Sequence, residues 1–342
     1  MEELKTYIMG TTFQTEGLIK ALVLEFPISG VITLKKESAR NSVSGYFNLK
    51  DITESCAIKL YEVSDYSLNG EADKDLMEKL EIDILIVFGW QRLIPNWMLS
   101  RVRLAAVGVH GSPDGITKGR GRSPQNWSLI LGAKKFSFSL FQLSDGIDSG
   151  KIISSSSYQI SAIDDIASVY EKLTSKSIDL ISDFLYNPKN QLASARNQNG
   201  IPTYYPKRIE KDGSIDWNRG SKEILNLIRA VTKPYPGAYT FSKQRKILVW
   251  KAHKTLVKNA TVKFSPGDIV SKGPRNELCV ATGDGFITIT EFDFDGSIEV
   301  GDRLQSHSLK EVMGTILNRH YAAFPDHPIS ERLLKYWRTL SD

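Results

Sequence analysis

The stretch Asp83-Ile84-Leu85-Ile86-Val87-Phe88 decides the fold. Four aliphatic residues in a row leave no polar face, which is the pattern of a strand covered on both sides in a parallel sheet. Working outward, residues 74–80 have helical spacing and lead into that strand. Further upstream, Thr6 to Met9 reads as the first strand, Gly10-Thr11-Thr12 as the turn after it, Thr15 to Leu24 as a helix and Ile28 to Leu34 as a second strand. Downstream come Trp97 to Leu99, a short strand from Ala106 to His110, a helix from Pro124 to Leu131, and strands on either side of the loop Ser144 to Gly150. Asp164 and Asp165 stand where an N-cap belongs, ahead of a long helix over 166–185 with apolar residues at Val169, Leu173, Ile178, Ile181 and Leu185.

This alternation predicts β-α-β units and therefore an α/β domain over residues 1–186, a Rossmann-like, mostly parallel sheet with helices on both faces. Residues 187–208, with Asn-Pro-Lys-Asn-Gln and Ile-Pro-Thr-Tyr-Tyr-Pro, read as a linker arm. After a helix from Ser221 to Ala230 the pattern changes to short strands at Tyr239–Phe241, Lys246–Trp250, Asp268–Val270, Leu278–Thr282 and Phe286–Glu291. Pro266-Gly267 and Gly283-Asp284-Gly285 punctuate them, so residues 209–302 are expected to form a small antiparallel, OB-like β-barrel. Residues 303–342 follow as a helical extension, with helices at Leu309–Ile316 and Ser330–Trp337.

The 342 residues, 41% hydrophobic and 24% charged, suit two globular domains. No apolar run approaches the roughly 18 to 20 residues that a bilayer requires, so no membrane span is expected. The opening Met-Glu-Glu lacks the basic and then apolar pattern of an export leader, and the expectation is a cytoplasmic protein. Cys56 and Cys279 lie far apart without histidine or cysteine at ligand spacing, which argues against both a disulfide framework and a metal site. The net charge of +5 is unevenly placed: residues 1–186 hold 20 basic and 23 acidic side chains (net −3), and the rest hold 24 and 16 (net +8). A cationic second half favours an anionic partner, nucleic acid or the phosphates of a small ligand. Interleaved acids such as Asp212, Asp216 and Asp293 break any continuous basic stripe and weigh against nucleic acid.

Gly10-Thr11-Thr12 lies at the ligand-facing edge of an open sheet, although an ordinary tight turn explains it equally well. It has neither the spaced glycines of a dinucleotide fingerprint nor a P-loop lysine. His110 ends a strand and precedes a glycine-rich loop, where a histidine can face a ligand crevice. Arg120 and Arg122, separated by one glycine, could clamp a phosphate or carboxylate; a solvated loop is the alternative. Asp148 lies in Ser144-Asp145-Gly146-Ile147-Asp148-Ser149-Gly150, where turn chemistry or an acid-base pairing with His110 would each account for it.

His110, the loop ending Arg120-Gly121-Arg122-Ser123-Pro124, and Asp148-Ser149-Gly150 together resemble the folate-dependent formyltransferase family, whose pattern is Asn-x-His, an Arg-Gly-x-x-Pro loop and Asp-x-Gly. The likeness to methionyl-tRNA formyltransferases and nucleotide-sugar N-formyltransferases continues through Asp212-Gly213-Ser214-Ile215-Asp216-Trp217, Ile228-Arg229-Ala230, Pro234-Tyr235-Pro236-Gly237-Ala238-Tyr239 and Thr282-Gly283-Asp284-Gly285, and so covers the chain to about residue 300. It implies formyl transfer from 10-formyltetrahydrofolate to an amine, without a metal. By that resemblance His110 stabilises the oxyanion and Asp148 holds water and histidine and assists proton transfer. Phe88, Gly89, Trp90, Arg92, Leu93 and Ile94 match the family's pterin pocket, with Leu143, Asp145 and Gly146 as its other wall.

The family's asparagine two residues before the histidine is Gly108 here. Either a neighbouring amide, Asn126 or Gln91, takes its place, or the enzyme is slower, or it has lost this activity and is a folate- or nucleotide-binding homologue. The segment Arg120 to Trp127 is more like the sugar-modifying branch than the tRNA branch, and no basic insertion follows the first strand and helix. The resemblance therefore implies a nucleotide-linked amino sugar as acceptor, in cell-surface polysaccharide (lipopolysaccharide) biosynthesis, with tRNA as the lesser alternative. Gly10, Thr11, Thr12, Arg120, Arg122, Tyr205, Lys207 and Arg208 are the expected acceptor contacts, and a homodimer is compatible with this reading.

Overall fold

The structure is a computed structural model that describes residues 4–39, 43, 45–255 and 264–340. Seven strands form the principal sheet: β1 (Thr6–Met9), β2 (Gly30–Leu34), β3 (Leu60–Val63), β4 (Ile82–Val87), β5 (Val102–Ser112), and, after a two-residue β6 (Arg120–Gly121), β7 (Lys135–Gln142) and β8 (Ile152–Gln159). Their order is β3-β2-β1-β4-β5-β7-β8, parallel through β5 and antiparallel between β5 and β7. Ile84, Leu85 and Ile86 on β4 are at most 1% exposed and contribute to two separate apolar clusters, so β4 has the two-sided burial its sequence predicts.

Because the chain runs β1-β2-β3 to one side and β4-β5 to the other, the direction of winding reverses between β1 and β4. In open α/β sheets the ligand crevice forms at the carboxyl ends of the strands at such a reversal. The segment after β1 is Gly10-Thr11-Thr12, and the segment after β4 is Phe88-Gly89.

The chain divides into two compact units, one of Met1–Arg120, Ser137–Tyr158 and Tyr170–Ile201, the other of Gly121–Phe136, Gln159–Val169 and Pro202–Asp342. Two short stretches inside residues 1–186 thus pack with the second unit. The expected arm, residues 187–208, contains a helix, Pro188–Ala193, and a two-residue strand, β9 (Tyr204–Tyr205).

In the second unit, β10 (Ala238–Ser242), β11 (Arg245–Thr255), β12 (Ile269–Lys272), β13 (Leu278–Thr282) and β14 (Gly285–Asp293) make an antiparallel sheet in the order β10-β11-β14-β13-β12. Its edges are joined by one segment: Ile269 N–H donates to the Asp302 carbonyl (2.9 Å), and Gln305 N–H donates to Phe241 on β10 (2.8 Å). Satisfying both edges in this way closes the sheet towards a small barrel. Trp217 is fully buried beneath it, with Nε1 donating to Thr240 Oγ1 (3.1 Å). The extension holds helices Leu309–Ala323 and Glu331–Arg338. Asp212, 3% exposed, pairs with Arg319 (2.6 Å) and ties the first of these helices to the turn Glu210–Gly213.

Several elements differ from expectation. β3 and the short helices Lys36–Ala39 and Lys50–Ser55 were not expected, residues 96–99 form a helical turn, and β5 runs eleven residues. Among the described residues no helix is long and apolar enough to cross a membrane, and no group of three His, Cys, Asp or Glu side chains could hold a metal ion.

Candidate active site

In the first unit, His110 is the ninth of β5's eleven residues, two before its carboxyl end, and is paired with Ser139 on β7. The chain then turns tightly: Ser112 Oγ donates to the Gly115 carbonyl (2.8 Å) and accepts from Asp114 N–H (3.0 Å). A single 3₁₀ turn, Thr117–Gly119, follows and brings the Gly119 carbonyl to 2.8 Å from His110 Nε2. A carbonyl can only accept, so Nε2 carries the hydrogen and, in the neutral ring, Nδ1 is the free acceptor.

Asp148 Oδ2 lies 3.5 Å from the same Nε2, with only 13% and 19% of the two side chains exposed. That separation is within ion-pair range but too long for a strong hydrogen bond, which Gly119 takes. Asp148 adopts φ +47°, a left-handed conformation that asparagine and aspartate tolerate best among residues with a side chain. Beyond it, Gly150 permits a contact no other residue would: a Cβ there would stand 1.8 Å from the Gln142 carbonyl oxygen.

The two turns at the β1/β4 reversal are laced together. Thr11 donates to the Gly89 carbonyl through N–H (3.2 Å) and Oγ1 (3.0 Å), and Thr15 Oγ1 donates to the Phe88 carbonyl (2.7 Å). Gly10, Thr11 and Thr12 are all buried, and Thr12 Oγ1 has no partner among the described residues, leaving a hydroxyl that a bound polar group could satisfy. The expected pterin-pocket residues separate into kinds. Trp90 and Ile94, each 8% exposed, pack with Leu143 in one cluster, whereas Phe88 belongs to the other. Trp90 meets Tyr66 edge-on (4.7 Å between centroids), and its Nε1 is buried without a partner among the described residues. Arg92 is exposed and stacks over Tyr66 at 4.9 Å; Leu93, Asp145 and Gly146 are exposed.

At Gly108 a Cβ would lie 3.0 Å from Leu143 Cδ2 and 3.6 Å from both Phe141 Cε1 and the Val87 carbonyl oxygen, so the position where the family's amide begins is partly filled by Leu143. Asn126 is placed differently from His110 and Asp148. It is 1% exposed inside the second unit, its Nδ2 donates to the Ala230 carbonyl (2.7 Å), and its Oδ1 has no partner among the described residues. Gln91 is half-buried, its N–H donating to Tyr66 Oη (2.8 Å).

Of the other expected acceptor contacts, Arg120 is 9% exposed, with Nη2 donating to Gln198 Oε1 (2.8 Å) and Nε without a partner among the described residues. Arg122 is half-buried and Lys207 exposed. Tyr205 is 1% exposed and stacks on Trp127 (6.5 Å, 22°), and Arg208 covers the same indole at 4.8 Å. Burial holds the Arg208 guanidinium down to about 10. Tyr205 and Arg208 are thus engaged in the second unit's own packing. One side chain that the sequence does not single out, Gln198, reaches both loops around His110; it lies in the polar run Arg196-Asn197-Gln198-Asn199-Gly200, which has no periodicity or motif to mark it.

Set beside known proteins, residues 29–185 match the family model described as formyl transferase, and residues 208–303 match the formyl transferase C-terminal domain. A methionyl-tRNA formyltransferase of Pelotomaculum thermopropionicum is 30% identical over 238 residues, 69% of this chain and 74% of that protein. The bifunctional polymyxin resistance protein ArnA of Wigglesworthia glossinidia brevipalpis is 35% identical over 206 residues, 60% of this chain but only 31% of that protein's length. Among solved structures, the N-formyltransferase of Helicobacter canadensis in complex with folinic acid and dTDP-3-aminofucose shares the fold, with a TM-score of 0.59 and 17% identity over 85% of this chain and 100% of that one. A mostly parallel α/β sheet followed by a C-terminal antiparallel sheet defines the class. This chain belongs to the formyltransferase family, enzymes that transfer formyl groups.

Proposed function

We propose that the protein moves a formyl group from 10-formyltetrahydrofolate to the amine of a nucleotide-linked amino sugar. The observation that carries the reading is the approach of His110 Nε2 to Asp148 Oδ2 at 3.5 Å, on the strand next to the β1/β4 reversal. The neutral amine attacks the formyl carbon, and the new C–N bond forms as negative charge gathers on the formyl oxygen. The bond to N10 then breaks, its electron pair stays on that nitrogen, and the proton lost by the amine ends there. His110 Nε2–H donates to the oxyanion in place of the Gly119 carbonyl, and Asp148 faces the imidazole so that positive charge on the ring is compensated. Trp90, Ile94 and Leu143 supply apolar wall for the pterin, with Trp90 Nε1 and Thr12 Oγ1, which lack partners among the described residues, as buried groups that a polar ligand would satisfy.

The sugar-bound structural neighbour supports the sugar acceptor, as does the sequence of the Arg120–Trp127 loop. A second reading, methionyl-tRNA as acceptor, is supported by the 30% identical relative. Incubation with 10-formyltetrahydrofolate and a panel of nucleotide-linked amino sugars, beside charged initiator tRNA, separates them by product mass. The sugar reading predicts formylated sugar with a shallow salt dependence. Formylated tRNA alone, with activity falling steeply as salt screens phosphate contacts, would replace it.

A further inference from the structure

We propose that Gln198 is a positioning residue, whose one carboxamide locks the loop carrying Asp148 to the loop that meets the His110 ring. Its Nε2 donates to the Asp148 carbonyl (2.7 Å) and the Gly150 carbonyl (2.9 Å). Its Oε1 accepts from Thr117 Oγ1 (3.1 Å) and Arg120 Nη2 (2.8 Å). The orientation of the amide is forced, because carbonyls cannot donate and a guanidinium cannot accept. Two donors and two lone pairs are all engaged, so the carboxamide has no capacity left over.

The partners on each side are those that fix the pair. Thr117 and Arg120 bracket Gly119, whose carbonyl takes the His110 Nε2–H bond. On the other side, the carbonyl held is that of Asp148 itself, a residue whose left-handed backbone persists only if its surroundings restrain it. The arm delivering Gln198 is anchored two residues earlier, where Arg196 and Ile152 exchange both backbone hydrogen bonds (2.8 and 2.9 Å) at the start of β8. A segment outside the expected catalytic domain thereby sets the spacing of His110 and Asp148, and a displacement of about 1 Å at such a pair costs about 100-fold in rate.

The role rests on the formyl-transfer reading, so the experiment has a readout that does not. Gln198→Met keeps the length and removes every polar contact; Gln198→Glu keeps the oxygen facing Thr117 and Arg120 but turns a second oxygen on two carbonyls. Both are expected to lower kcat about 10- to 100-fold with KM for donor and acceptor within about twofold. Gln191→Ala, on the arm's helix where the amide bonds the Asp183 carbonyl (2.8 Å), should leave turnover unchanged. Long-range ¹H–¹⁵N spectra should show His110 as a single Nε2–H tautomer in the parent and a mixture in Gln198→Met. Parental kcat in Gln198→Met overturns the proposal, as does a joint fall in kcat and melting temperature with the tautomer unchanged. If the parent forms no formylated amine, the functional reading fails, while loss of the single tautomer still supports the lock and its retention still overturns it.

Discussion

The loops around His110 and the helix Pro124–Ile130 both carry polar residues that look like reaction chemistry in the sequence, and the structure uses them in opposite ways. Around His110, side chains bond backbone carbonyls of neighbouring loops, so Gly119, Asp148 and Gln198 hold an imidazole and a carboxylate at a set distance while both stay partly open. In the helix, Asn126 and Trp127 are at most 1% exposed and bond carbonyls of the second unit, at Ala230 and Pro206. The lesson is that residue type marks chemical capacity, whereas the direction of the hydrogen bonds decides whether the capacity faces a ligand or the interior.

The largest expected effect tests the first region. His110→Ala should reduce transfer by about 10³-fold, since under the proposed mechanism it removes the oxyanion donor, with the melting temperature nearly unchanged. Unaltered turnover would remove the imidazole from the mechanism. Asp148→Asn keeps shape and removes charge; about a 10²- to 10³-fold loss of kcat is expected, with tetrahydrofolate still bound in a fluorescence titration. A rate near the parent's would mean the 3.5 Å approach is structural.

The contrast is sharpest at Asn126. If its amide serves the interior, Asn126→Ala should destabilise the protein by about 1–2 kcal/mol through the unpaired Ala230 carbonyl, with kcat within about twofold of the parent. A variant that melts like the parent but turns over about 100-fold more slowly would place Asn126 with His110 and restore it as the substitute for the missing family asparagine.

How far each region can be read from sequence follows from the same physics. β4 is legible because burial on both faces leaves an unbroken aliphatic run, and the helix Ile166–Tyr186 because Asp165 caps it, its Oδ1 accepting from Ser168 N–H (3.0 Å). β3 is not, since only Val63 of its four residues is buried, and β5 is read short because its start carries Arg103, paired with Asp83 (2.7 Å) on the neighbouring strand. For the site, His110 and Asp148 are found by the order of their motifs and not by spacing. Gln198 is invisible, because a glutamine in a polar arm becomes informative only when both ends of its amide have named partners. The extension after residue 302 gives up its helices but not its attachment, which depends on the pairing of Arg319 with the buried Asp212.

The smallest effect concerns a lacing of the same kind as Gln198's but remote from any reacting group. Asp284 accepts from Ser221 N–H (2.6 Å), from Ser221 Oγ (2.8 Å) and from Thr282 Oγ1 (3.2 Å), so it supplies the first N–H of helix Ser221–Val231 with a partner. The backbone N–H of Ser221 leads in holding the carboxyl below its ordinary value. A lowered pKa in the folded chain means the contribution is complete above the ordinary carboxylate value of about 3.9 and fades as pH falls through the lower, folded one. Asp284→Asn should therefore cost a few tenths to about 1 kcal/mol at pH 7, kept small by the exposure of the side chain, with turnover unchanged. Urea midpoints of variant and parent should converge as pH drops from about 4 to 2, since the parent alone loses a charge; a gap constant across that range would show that shape, not charge, holds the helix end.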